Sequence, residues 1–335
     1  MQLNTILNCM PIVPSPYKAK GIFKNGHFAT IYSAKLRPIP SLIQTRERLE
    51  LSDGDFVDID WSYNIAKNEA TKKVAVLLHG LEGNAQRVYM KGQANVLIKN
   101  GWDVAGMNHR GCSGEENRLY LSYNSGRTED LAELINHLLT HKNYEEITLI
   151  GFSLGGNVLL KYLGEQKEVP KQIKAGVAIS TPLYLRGALE QLVKTENVVY
   201  SQTFINDLKK KYKRKMNQFP NAMNADELKK IQNLLDFDNL YTAKAHGFED
   251  AYDYYEKSSS LQYLPNIKIP VLILNAENDS FLSSECYPYD IAENHKNIHL
   301  EVPKSGGHVG FHVSNNVYYS ERRTLDFIEK ISRDE

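Results

Sequence analysis

The sequence predicts an α/β fold class: a mostly parallel central sheet flanked by helices on both faces, with an inserted helical cap. Three observations predict it. Short unbroken apolar runs such as Val74-Ala75-Val76-Leu77-Leu78 fit strands buried on both sides. Such runs alternate with stretches of helical periodicity, the rhythm of a parallel sheet covered by helices. Between one run and one helical stretch stands Gly151-Phe152-Ser153-Leu154-Gly155-Gly156, a tight strand-to-helix turn.

Taken in chain order, the first strand is Val74–Leu78 and the second Asp103–Met107. Thr128 then caps a helix with Glu129 and Asp130 in its first turn, and Leu131, Leu134, Ile135, Leu138 and Leu139 give it one apolar face. The strand Ile147–Ile150 follows, then a helix from Leu154 that Gly164 stops, then the strand Ala175–Ile179. The alternation resumes at Val271–Leu274. A last strand around Ile298–Val302 leads into a C-terminal helix carrying Leu325, Ile328 and Ile331.

Between Ser180 and Pro265 the pattern is helical, rich in Tyr and Lys, with no clear strand. The expected organisation is an N-terminal arm over 1–50 packing on the core, an α/β core formed by 51–181 and 265–335, and a cap over 182–264. In the cap, Phe204, Ile205, Leu208, Tyr212 and Met216 make one helix face, and Lys209, Lys210, Lys211, Lys213 and Arg214 are expected mostly on its solvated remainder. Asn224, three residues before Glu227, resembles a capping arrangement. Tyr184, Tyr200, Phe204, Tyr241 and Tyr254 are expected to help line an acyl pocket.

Charge narrows the function classes. Lys plus Arg and Asp plus Glu both number 40, so no global field draws the 335-residue chain to nucleic acid or an anionic membrane, and a small-molecule partner is expected. No apolar run approaches the ~20 residues that span a bilayer, and contact with a membrane surface is left open. Cys9, Cys112 and Cys286 are odd in number and widely spaced, which fits free thiols and a cytoplasmic setting. The N-terminus lacks a basic start and a cleavage pattern, so it does not read as a signal peptide. The Asn278-Asp279-Ser280 sequon overlaps a candidate site residue, which again favours the cytoplasm.

The chemistry centres on the glycine-flanked serine. Gly151 and Gly155 stand two residues either side of Ser153, where a side chain would collide with backbone in so tight a turn. Ser153 is pushed out at a helix N-terminus, which favours developing negative charge. A serine hydroxyl needs a base, and in this arrangement serine, acid and histidine follow in that order on loops after late strands. His308, in Ser305-Gly306-Gly307-His308-Val309-Gly310, is the expected base, with His312 its rival. Asp279 is the expected acid, with Glu277 the alternative; no acid follows the strand Ala175–Ile179, where Ser180-Thr181-Pro182 stands. The amides of Leu81, in His79-Gly80-Leu81-Glu82-Gly83, and of Leu154 are the expected oxyanion donors.

Other constellations are weaker. His137 and His141 share a helix face but lack the Glu of a zinc motif, so no metal is expected. No glycine-rich nucleotide motif appears, so no cofactor is expected.

Taken together, Lys24-Asn25-Gly26-His27, Arg46-Glu47-Arg48, Asp53-Gly54-Asp55-Phe56, His79-Gly80-Leu81-Glu82-Gly83, Asn108-His109-Arg110-Gly111-Cys112-Ser113-Gly114, the serine turn through Asn157, His246-Gly247-Phe248 and Gly306–Phe311 resemble the YheT-type branch of the α/β-hydrolase superfamily over residues 17–335. That branch includes bacterial predicted esterases, yeast medium-chain ethyl-ester synthase/esterases and animal abhydrolase lipases. The resemblance implies a Ser153, Asp279 and His308 triad and hydrolysis of carboxylic esters, short- to medium-chain acyl esters or lipids. Acyl transfer to an alcohol is a known variation, and a non-catalytic ligand-binding protein on the same scaffold is a third reading. The chain departs from the branch at Ser280, His109 and Lys304, where proline, an aromatic and an acid are usual.

Overall fold

The computed structural model describes residues 11–65 and 70–334. Cys9 and the start of the chain lie outside the described residues. Eight strands form one sheet in the order β1-β2-β4-β3-β5-β6-β7-β8. They are β1 Thr45–Glu50, β2 Phe56–Ser62, β3 Lys73–Leu78, β4 Asp103–Asn108, β5 Glu146–Phe152, β6 Ile173–Ile179, β7 Val271–Leu274 and β8 Ile298–Glu301. From β4 to β8 every neighbouring pair is parallel. The other two pairings, β1 with β2 and β2 with β4, are antiparallel.

The two-residue alternation of a strand divides the core. Val74, Val76 and Leu78 join one apolar cluster with Leu131, Leu134, Leu138, Leu159 and Leu163. Ala75 and Leu77 face the other side, against Ala94, Leu97, Phe327 and Ile328 of the helices Val88–Ile98 and Tyr319–Asp334. Both faces are covered, which is why the strands read as unbroken apolar runs.

The hairpin β1–β2 has no such signature. Its inner strand carries Asp58 and Asp60, which are buried nonetheless because Arg48 and Arg46 each clamp one carboxylate through two hydrogen bonds. The turn between β1 and β2 is tied to the loop after β4 by Arg110, fully buried among Asp53, Asp55 and Asp130 at 2.7–3.1 Å.

Two local expectations are corrected. The helix Glu129–His141 forms, yet the Thr128 side chain does not cap it; its hydroxyl donates to the Glu165 carboxylate instead. The next helix, Leu154–Glu165, runs through Gly164 rather than stopping there. A Cβ at Gly164 would lie 2.3 Å from the Tyr263 carbonyl oxygen, so the glycine serves close packing and not termination.

Between β6 and β7 come the helices Leu185–Leu192, Val198–Gln218, Ala225–Lys230, Leu234–Phe237, Ala243–His246 and Ala251–Ser258. Asn224 caps the third, accepting from the Glu227 amide at 2.9 Å. These helices have their own apolar cluster, including Leu189, Ile205, Leu208, Tyr212, Ile231, Phe237 and Tyr254. The expected lysine face on Val198–Gln218 needs correction: Lys210, Lys213 and Arg214 are exposed, but Lys211 and Lys215 are buried. They lie three and seven residues after Leu208, on the apolar stripe itself.

Candidate active site

Strand β5 delivers Ser153 to the top of the sheet. Its backbone is held at φ 53° and ψ −122°, a region L-residues avoid. The turn is tight enough to explain its glycines. A Cβ on Gly151 would lie 2.3 Å from the Gly155 carbonyl oxygen, and one on Gly155 would lie 2.4 Å from that of Leu78. The turn is fixed by Ser153 N–H donating to Ile179 O at 2.9 Å.

His308 follows β8, and its Nδ1 lies 2.8 Å from Asp279 Oδ2. With a carboxylate as acceptor, Nδ1 carries the proton and Nε2 is left free to accept one. The Asp279 side chain is fully buried and also accepts from the Phe281 amide at 3.0 Å. The rivals are elsewhere: His312 stacks on Phe23 with ring centroids 3.9 Å apart, and Glu277 is exposed.

The loops bearing Asp279 and His308 are packed against residues 24–30. Thr30 Oγ1 accepts from the His308 amide at 2.8 Å and donates to Gly26 O at 2.8 Å. Asn278 bridges them, accepting from Gly307 N at 3.0 Å while donating to Lys24 O at 3.0 Å. Gly26 has no room for a side chain, since a Cβ would lie 2.3 Å from Asn278 O; a Cβ at Gly307 would lie 2.3 Å from Gly26 O. Val309 has φ 59°, uncommon for a β-branched residue, and its amide donates to Ser180 Oγ at 2.9 Å.

On the other side of Ser153 lies the turn after β3. Gly80 packs so closely that a Cβ would sit 3.1 Å from Ser153 Cβ. His79 Nδ1 donates to Gly80 O at 2.8 Å, while its Nε2 accepts from His109 N at 3.1 Å. That pattern requires a neutral ring. Burial also holds His79 well below the usual histidine range and His109 down to about 4. Among the described residues, neither the Leu81 nor the Leu154 amide donates to a protein acceptor.

Ser153, His308, Leu81 and Leu154 line one cavity of about 130 Å³. Among the described residues no hydrogen bond joins the Ser153 hydroxyl to another group. One wall is apolar, built from Leu185, Leu189, Leu192, Leu208 and Phe281. Of the five aromatics expected there, Phe204 and Tyr254 line it and three do not. Tyr200 stacks on His27, Tyr241 donates to Tyr120 O, and Tyr184 packs against the core below.

Two charged groups in the cavity wall were missed by the sequence reading. Asp238 accepts from Tyr255 and Thr242 at 2.6 and 2.7 Å, and burial pushes its carboxyl up to about 6. Lys211 lies 3.2 Å from Glu82 Oε1 and is 1% exposed. Its helical phase was the available signal. His137 and His141 stack on each other on the outer surface, with His137 bonded to Glu47 at 2.9 Å.

A family model described as the alpha/beta hydrolase fold matches residues 74–314. The chain belongs to this family. Within it, the chain is 34% identical over 292 residues to the putative esterase YheT of Escherichia coli, covering 86% of this chain and 85% of that protein. It is 29% identical over 279 residues to phospholipase ABHD3 of Bos taurus, covering 81% of this chain and 67% of that one. An esterase structure from Pyrococcus furiosus superposes with a TM-score of 0.58 at 18% identity, over 87% of this chain and 92% of that one, and shares the fold.

Proposed function

We propose that the protein hydrolyses carboxylic esters, with Ser153 as nucleophile, His308 as general base and Asp279 as the acid that orients it. The observation carrying this reading is the Asp279–His308 hydrogen bond at 2.8 Å, on a cavity that the strained Ser153 also lines. Relatives named esterase and phospholipase support the reaction class.

The steps follow from the side chains. His308 Nε2 takes the hydroxyl proton as Ser153 Oγ attacks the ester carbonyl carbon. The tetrahedral oxyanion is held by the amides of Leu81 and Leu154, both free of protein acceptors among the described residues, and each donor is worth roughly 2.7–4 kcal/mol of barrier. As the intermediate collapses, His308 gives its proton to the departing alcohol, leaving an acyl-enzyme. A water activated by His308 then releases the acid and restores Ser153. Serine–base hydrogen bonds are often loose before substrate binds and tighten with it.

Residues 182–264 are assigned as a cap whose Leu185, Leu189 and Leu192 receive the acyl chain, with 11–44 as an arm on the core; the arm expected over 1–50 is shortened because Thr45–Glu50 is strand β1 of the sheet, and residues 1–10 lie outside the described residues. An apolar wall of this kind suits an uncharged acyl group. The buried free thiols of Cys112 and Cys286 fit a reducing, cytoplasmic setting. Among the described residues no helix is long and apolar enough to cross a membrane.

The test is labelling by a fluorophosphonate, wild type against Ser153→Ala, with hydrolysis of a p-nitrophenyl ester series. Labelling and turnover should vanish together in the variant; labelling that persists rejects the assignment. Products formed with added alcohol separate hydrolysis from acyl transfer.

A further inference from the structure

The turn that presents the Leu81 amide is anchored differently at its two ends. At the Gly80 end the anchors are local: Gly80 N–H donates to Tyr89 Oη at 3.1 Å, and Gly80 O accepts from His79 and from Gly83 N. At the Glu82 end the chain adopts φ 48°, a left-handed conformation that a residue with a side chain holds only when its surroundings impose it. Four contacts do so. The Glu82 amide donates to Tyr123 Oη at 2.8 Å, and its carbonyl accepts from Arg87 at 2.7 Å. Its carboxylate Oε1 accepts from Tyr123 Oη at 2.7 Å and faces Lys211 Nζ at 3.2 Å.

Lys211 is the distant partner in this group. It belongs to the helix Val198–Gln218, while Glu82, Arg87 and Tyr123 belong to the segments around β3 and β4. Its ammonium also lies 4.6 Å from the Tyr123 ring centroid and 3.7 Å from Cys112 Sγ. The Tyr123 ring in turn stacks on His109, whose amide donates to His79. One cation therefore grips both the carboxylate and the ring that hold the strained residue. The paired charges are costly to bury, and an apolar pair would pack a helix onto a sheet domain at least as well.

We propose that Lys211 is a positioning residue, fixing the Leu81 amide toward the oxyanion by clamping Glu82 from the helix that overlies the turn. The proposal rests on the oxyanion assignment made above. Leu81 sits between the two anchors, so freeing Glu82 lets its left-handed backbone relax and swings the amide away from the carbonyl oxygen. A displacement near 1 Å in such a donor costs on the order of 100-fold in rate.

The experiment compares Lys211→Met, Lys211→Arg, Glu82→Gln and the double variant Lys211→Met/Glu82→Gln in the full chain. Hydrolysis of a p-nitrophenyl ester, inhibition by a trifluoromethyl ketone and thermal midpoints are measured. Lys211→Met should lower kcat about 10–100-fold, leave KM within about twofold, and weaken the ketone, which resembles the tetrahedral intermediate, in step with kcat. Lys211→Arg should recover most of the loss, and the double variant should be no slower than the worse single one. If Lys211→Met fails to fold, Glu82→Gln carries the same prediction, because it removes the charge and keeps the shape. An unchanged kcat with a lowered thermal midpoint would overturn the proposal, the ion pair then serving stability alone. A raised KM with kcat intact would overturn it too, since Lys211 would be touching substrate. Failure of the triad itself is separately visible, as turnover that survives Ser153→Ala whatever Lys211 does.

Discussion

Two regions outside the central parallel strands reach the candidate site from opposite sides, and they do it by different physics. Residues 24–30 seat the loops of Asp279 and His308 through close backbone packing and neutral hydrogen bonds, with Gly26, Thr30 and Asn278 as the contacts. The helix Val198–Gln218 seats the Leu81 turn through a buried charge, Lys211 on Glu82. The first device tolerates no added atom. The second tolerates shape changes and no loss of charge. Geometry and electrostatics thus guard different halves of the proposed reaction: the proton transfers on one side, the stabilised oxyanion on the other.

This contrast can be broken or sharpened by experiment. The largest effect is expected at the acid that orients the base: Asp279→Asn should lower kcat by about 10⁴-fold, because the amide favours the wrong imidazole tautomer. Steady-state ester hydrolysis reads this directly. Next, Gly26→Ala places a Cβ where 2.3 Å separates it from Asn278 O, so the acid loop must move. Turnover should drop roughly 10–100-fold and stability by about 1–3 kcal/mol, both from one methyl group far from Lys211. Equal losses from Gly26→Ala and Lys211→Met in the affinity of the trifluoromethyl ketone relative to kcat would erase the distinction between the two sides.

The oxyanion side also carries a pH signature. Burial keeps His109 neutral down to about 4, whereas the unfolded chain takes up its proton near 6.5. The folded pKa is depressed, so this stability is complete above pH 6.5 and drains away as pH falls toward 4. The slope is about 1.4 kcal/mol per pH unit for each such histidine, and His79 adds a second. His109→Gln should flatten the fall in unfolding free energy by one proton across that window, as denaturant titrations at several pH values would measure. The smallest effect is expected at Thr30→Val, which leaves the His308 amide without its acceptor and should cost about 1–3 kcal/mol, with Thr30→Ser close to wild type.

Much of the frame was legible in the sequence because burial on both faces writes itself as apolar runs. Val74–Leu78 and Val271–Leu274 are strands within a residue of where they were expected. The serine turn was legible because steric crowding leaves only glycine at Gly151 and Gly155. The glycine flanks and the place just beyond the last strand pointed to His308 over His312; in the structure the first lies against Asp279 and the second against Phe23. What was illegible was buried charge. β2 escaped notice because Asp58 and Asp60 break its apolar pattern, and only their arginine partners on β1 make burial affordable. Lys211, Lys215 and Asp238 were hidden for the same reason. A charge is expected in water until its distant partner is known, and Glu82 and Lys211 are separated by most of a domain in sequence. Gly164 and Thr128 misled in a smaller way, since each has a local helix role that a tertiary contact overrode.

The seating of His308 on Thr30 joins positions 278 residues apart. Residues 24–30 are synthesised long before residues 305–310 and must wait for them to make this contact. On the proposed triad, a translation product cut short before residue 305 carries Ser153 without its base.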